Sequence, residues 1–244
     1  MQSQMQKKFS DYYERYITLQ ETNIQQLLSV SRNPNNEQEH KALVSGVLNL
    51  YKEYYTVKWA GAHEDVLGFF SPTWLTPLEN AHLWVTGWKP SILFKLINSL
   101  RQAQIPGSST LANLTEEQVK KLEKLRLKIG GEEEKVEREM ERHQVSIGDR
   151  RMLELARLTA QIKEHKEIAE EVKKLVDVAM NTLLVGLEKI MKTADCVRLK
   201  TIKEVLDILT PLQSVNFMAA SLILQIQLRN WGKRRHSKEE LLNL

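Results

Sequence analysis

Residues 151–190 read RMLELARLTAQIKEHKEIAEEVKKLVDVAMNTLLVGLEKI. Leu155, Ile162, Ala169, Val176, Leu183 and Ile190 recur every seven residues, and Leu158, Val172 and Ala179 fill intermediate positions. Charged residues occupy much of the rest. A narrow apolar stripe on a solvated helix packs against another helix, in the same chain or in a second copy. A strand cannot use this spacing, because its side chains alternate every two residues. The stretch therefore sets the fold class as all-α, a multi-helix bundle with long antiparallel helices.

The flanking sequence agrees. From Glu116 to Lys174 there are fifteen acidic and fifteen basic residues and no aromatic. Thr115 with Gln118 opens this charged middle with a capping-box pattern; Gly130-Gly131 and Gly148 are expected to interrupt it. Thr210-Pro-Leu-Gln213 repeats the pattern, followed by Val215, Met218, Leu222, Ile226 and Trp231, with Phe217 and Ile223 widening the buried arc. Arg229, Lys233, Arg234 and Arg235 close that helix, where cations suit the negative end of the macrodipole. The uncharged run Ile208–Leu228 contains Pro211, three Gln and one Asn. It is expected to be a buried core helix rather than a membrane span.

Fourteen of the sixteen Phe, Trp and Tyr residues lie between Phe9 and Phe94. Phe9, Tyr12, Tyr13, Tyr16, Ile17, Ile24, Leu27 and Leu28 define one face of a helix over 9–30, ending before Arg32-Asn-Pro-Asn-Asn36. Asn36 with Glu39 caps a second helix carrying Tyr51, Tyr54, Tyr55 and Trp59, and continuing to Leu67. Thr76-Pro-Leu-Glu79 caps a third, divided at Gly87 and Pro90 from one over Ile92–Ile97. Ile105-Pro-Gly-Ser-Ser109 is the clearest loop. The expected organisation is a flexible start (1–8), a helical domain (9–232) and a basic, polar tail (233–244).

Composition bounds the function. With 42% hydrophobic and 27% charged residues the chain can bury a core, and its 10 Gly and 6 Pro leave room for long helices. A net charge of +4 falls well short of a nucleic-acid-binding arm. One cysteine, Cys196, suits a reducing compartment, and Met1–Lys8 lacks a secretory h-region. A nuclear or cytoplasmic protein is expected.

The run Tyr51–Lys58 (YKEYYTVK), Glu64-Asp-Val66 and Ser71–Glu79 (SPTWLTPLE) resemble the Delay of Germination domain of plants. So do Leu83–Ser91 (LWVTGWKPS), Leu114–Gln118, and the blocks Leu209–Gln213 and Leu228–Gly232, in the family's order. A related domain forms the C-terminal half of the TGA class of plant bZIP transcription factors. The resemblance covers about Phe9 to Gly232. It implies a plant regulatory protein in dormancy, hormone or developmental signalling that acts through other signalling or transcription proteins. TGA factors carry a basic region and zipper ahead of this domain. Here the resemblance starts almost at Met1, so DNA reading by a basic helix is not expected. At 80 and 82 the family has Arg and an aromatic, where this chain has Asn80 and His82.

Candidate chemistry is sparse. Glu37/His40 and Glu79/His82 have the Glu-x-x-His spacing of di-iron bundles, but Glu37 and His40 are expected to face water and Glu79 to cap. His165, inside the stripe, fits a packed or register-setting residue. Cys196 is expected to be at least half-buried, and no nucleophile elbow or phosphate loop is present. No metal, cofactor or catalytic residue is assigned. The residues singled out are Trp74, Trp84, Trp88 and Trp231 as a partner or ligand surface. Trp84 and Trp88 are placed one helical turn apart. Arg229, Lys233, Arg234 and Arg235 form the basic end. The leading expectation is a protein-interaction adaptor, with self-association through the 152–190 stripe as a further partner mode. The alternatives are a transcription cofactor with weak DNA contact through that end, and a small-ligand or haem sensor on the same bundle.

Overall fold

The computed structural model describes residues 3–30, 36–102, 109–161 and 166–242, and these are helical wherever they are regular. The helices are α1 (Gln4–Val30), α2 (Glu37–Glu64), α3 (Val66–Phe70), α4 (Pro77–Ala81), α5 (Ile92–Gln102), α6 (Ser109–Ala112), α7 (Glu116–Val145), α8 (Arg150–Gln161), α9 (Lys166–Ile208) and α10 (Pro211–Leu242). A 3₁₀ turn, Ser146–Gly148, joins α7 to α8. The Arg32–Asn35 and Ile105–Ser108 breaks, and Ile162 and His165 of the stripe, lie outside the described residues. So does the side chain of Ala169.

The caps behave as their chemistry requires. Thr76 and Thr115 form capping boxes with Glu79 and Gln118, and Asn36 accepts from the Glu39 amide. Thr210 and Gln213 exchange the same two bonds. Each satisfies amides that the first turn of a helix leaves without partners.

Helix directions follow from the pairs that meet. Ser3 with Asp65 and Phe9 with Tyr54 set α1 antiparallel to α2. Lys58 with Asp195 and His63 with Glu188 set α2 antiparallel to α9. Lys128 with Glu204 and Lys200 with Glu132 do the same for α7 and α9. Helix α10 packs on α1, α2, α4 and α6. Its buried Val215, Phe217, Met218, Leu222 and Ile226 meet the aromatic face of the first two helices. With 43 residues, α9 spans about 64 Å. It links this aromatic body to an arm built with α7 and α8.

Several expectations need correction. Helix α1 starts at Gln4, and Met5 is buried against Gly61, so residues 3–8 belong to the fold. Helix α7 passes through Gly130-Gly131 unbroken, because fixed neighbours on both sides outweigh a modest propensity cost. Helix α2 stops at Glu64, where Asp65 accepts from the Gly68 amide and starts α3. Helix α4 ends at Ala81, and α10 continues past the basic residues to Leu242. His40 is buried, with Nε2 3.3 Å from the Val30 carbonyl oxygen, while Glu37 pairs with Lys41 at the surface. Cys196 is exposed; partial desolvation and neighbouring Asp195 raise its pKa, which disfavours the thiolate. Among the described residues no helix is long and apolar enough to cross a membrane.

The heptad stripe is largely spent inside the chain. Leu155, Val172, Ala179 and Ile190 are buried, with α9 packed on α7 and α8. Leu158 is exposed.

Candidate functional site

Five of the six tyrosines (Tyr13, Tyr16, Tyr51, Tyr54 and Tyr55) line a cavity of about 180 Å³. Helix α1 supplies two and α2 three, because positions one turn apart on facing helices converge. Leu93 and Leu96 of α5 and Leu224 and Leu228 of α10 complete the apolar wall, while Glu79, His82, Ser221 and Gln225 add polar groups to the lining. Burial, the main cause, raises the pKa of all six tyrosines, Tyr12 to about 12. The phenols remain neutral.

Lys58 is fully buried one turn beyond Tyr54 and Tyr55 and also lines the cavity. Its Nζ donates to Asp195 Oδ1 at 2.8 Å, to the Thr86 hydroxyl at 3.0 Å and to the Thr86 carbonyl at 3.2 Å. Burial lowers its pKa to about 8, against the opposing attraction of Asp195. The same carboxylate accepts from Arg198 Nη1 at 2.5 Å and from the Trp59 indole at 3.0 Å. Asp195 and Arg198 are both at 0% exposure.

This buried knot holds an unusual turn. Trp84 and Gly87 exchange backbone hydrogen bonds across Val85 and Thr86, both with positive φ (42° and 61°). Left-handed geometry is unfavourable for β-branched residues. The turn persists because cations seize its outward carbonyls. Arg198 donates to the carbonyls of Trp84, Val85 and Trp88, and Lys58 to that of Thr86. Gly87 is needed there, since a Cβ would lie 2.8 Å from the Arg198 guanidinium carbon. From the other side, Glu137 accepts from the Trp84 indole and Lys89, and Glu133 from the Ser91 amide. Val85 and Thr86 also border a wider hollow of about 550 Å³ with Phe70, Pro72, Asn80 and Met140.

The structure disperses the four tryptophans. Trp74 is buried against Phe9 and Phe69. Trp84 and Trp88 are half-buried on the turn rather than one helical turn apart, and Trp88 alone of the four lines the cavity. Trp231 is 51% exposed. Five residues beyond Ile226 it points about 140° away from that side of α10. Of the basic group, Lys233, Arg234 and Arg235 are exposed. Arg229 is not part of that surface. It is buried, donates to the Trp74 carbonyl and Glu79, pairs with Glu14, and lies over the Tyr13 ring.

Asn80 donates to the Pro72 carbonyl, and exposed His82 lies 2.9 Å from that of Leu78, so both serve local turns. Glu79 caps α4 and pairs with Arg229. Among the described residues no cluster of His, Cys, Asp and Glu could hold a metal.

Residues 6–99 match the family model described as DOG1, seed dormancy control. Over 237 residues the chain is 47% identical to Protein DOG1-like 4 of Arabidopsis thaliana, covering 97% of each. The chain belongs to the DOG1-like family of plant proteins. Protein ZW2 of the same plant is 32% identical over 80% of this chain and 81% of its own. Transcription factor TGA6 is 27% identical over 87% of this chain but only 59% of its own, so this DOG1-like chain corresponds to part of a longer factor. The stretch matched by the family model supplies every cavity residue except the four on α10.

Lys58, Asp195 and Arg198 escaped the sequence reading. Their signal was nonetheless present: Lys58 continues the Tyr51–Tyr54–Tyr55 face, and Asp195 and Arg198 continue the Ile190–Ala194–Val197 face. A charge on a buried face must be paired.

Proposed function

We propose that the chain is a non-enzymatic regulatory adaptor in plant dormancy, hormone or developmental signalling, which works by stoichiometric binding to other signalling or transcription proteins. The observation that carries this is on α9. Leu175, Val178, Thr182 and Val185 follow at intervals of three and four, beside the stripe spent on α7 and α8. Their three apolar members are 48%, 56% and 55% exposed. Val145, Ile147 and Leu153, around the junction of α7 and α8, are exposed as well. An apolar strip on a projecting arm, ringed by charges, suits docking of a helix from another protein. Kinship with DOG1-like 4 and with part of TGA6 supports the regulatory setting, and the TGA kinship supports a nuclear or cytoplasmic location.

Affinity capture from plant tissue tests the proposal, using the intact chain beside a Val178→Glu/Val185→Glu variant of equal helicity. A partner held at matching stoichiometry by the first and lost from the second is expected. Recovery of no specific partner, or equal recovery by both, contradicts it. Light scattering on the purified chain distinguishes a second copy from a foreign partner on this strip.

A further inference from the structure

The tyrosine-walled cavity combines three properties that the adaptor role does not require. The first is size: at about 180 Å³ it is comparable to an apolar cavity of about 150 Å³ that holds benzene. The second is wall chemistry. Tyrosine rings, Trp88 and leucines surround it, and Tyr54 is half-buried. Exposed Ile92, Leu224 and His82 among the lining residues mark the side that meets solvent.

The third is charge. Lys58 lines one end of the cavity, where it and Arg198 behind it share the buried Asp195 carboxylate; Glu79 also lines the cavity, and buried Arg229 behind it is its partner. Glu14, which also pairs with Arg229, and Lys233 beside it are exposed and screened. Glu133, the other buried carboxylate among the described residues, lies across the turn at the Ser91 amide. At the Lys58 end two buried cations share the one carboxylate of Asp195, which leaves one positive charge uncompensated. Buried charge without a counter-charge is costly unless something supplies one.

We propose that this cavity binds a monocyclic organic acid, with its ring against the tyrosine faces and its carboxylate turned towards Lys58. The Thr86 hydroxyl, itself part of the lining, is the Lys58 partner such a carboxylate replaces. A neutral ring compound fills the same space without meeting the charge.

Isothermal titration of the full chain at neutral pH with benzoate, and with benzamide as its neutral isostere, tests this. Saturable benzoate binding at one site is expected, at least tenfold tighter than benzamide. A rim substitution that closes the entrance, Leu224→Trp, should abolish it while helix content and melting temperature stay at wild-type values. Ile92→Trp, from another part of the rim, serves if that variant fails to fold. Absence of saturable benzoate binding, equal affinity for benzamide, or undiminished binding by the occluded variant overturns the proposal.

Discussion

Lys58 Nζ lies 2.8 Å from Asp195 Oδ1, with the two side chains 2% and 0% exposed. The pair ties the tyrosine face of α2 to α9, and Arg198 shares its carboxylate. Removing Asp195 therefore strands two cations, whereas removing Lys58 leaves Asp195 paired with Arg198. Asp195→Asn is expected to cost about 3–5 kcal/mol, and Lys58→Met distinctly less. Urea denaturation followed by circular dichroism measures both; equal losses would show that the carboxylate is not the shared anchor.

Alkaline pH acts on the same core in two opposed ways. The folded pKa of Lys58, about 8, lies below its ordinary 10.5. Between these values the unfolded chain binds more protons, so this group makes stability rise with pH. The tyrosines are shifted upward, so above pH 10 the unfolded chain sheds phenolic protons that the folded chain keeps, and stability falls. Six groups outweigh one. Tyrosinate absorbance should remain low as pH passes 10, then appear together with loss of helical signal. Stepwise ionisation near pH 10 in a still-helical protein would contradict this.

Glycines in two helices should respond oppositely to alanine. A Cβ at Gly130 meets nothing within 4 Å, so Gly130→Ala should stabilise α7 by about 0.5–1 kcal/mol. At Gly232 it would lie 2.2 Å from the Thr76 hydroxyl that caps α4, so Gly232→Ala should lower the melting temperature despite its better helix propensity. Thermal melts of the two variants check the pair.

Much of this architecture was legible because caps and periodicity are local. Thr76, Thr115 and Thr210 announce their helices within four residues, and most of the face expected from Phe9 to Leu28 is buried as its spacing demands, with Tyr12 half-buried and Leu28 exposed at its edge. The turn at Trp84–Gly87 was not legible, since Val85 and Thr86 have no intrinsic preference for left-handed backbone. Arg198, more than a hundred residues away in sequence, imposes it. Arg229 was misplaced for a related reason. Its three basic neighbours suggest a solvated end, while its partners Glu14 and Glu79 come from the opposite end of the chain.

That turn stores strain, which can be relieved at Val85 without touching the Thr86 groups that Lys58 uses. Val85→Asn, with a residue more at ease at positive φ, should stabilise by about 1 kcal/mol. A melting temperature below wild type would mean that the Val85 side chain contributes more by packing than its backbone costs.

The adaptor proposal is tested most directly by light scattering on a purified equimolar mixture of this chain and the partner captured from plant tissue. A single species with the summed mass, absent when Val178→Glu/Val185→Glu replaces the wild-type chain, is the result expected. Two separately eluting species, with the partner chemically altered by a trace of this chain, would contradict stoichiometric binding and point to catalysis.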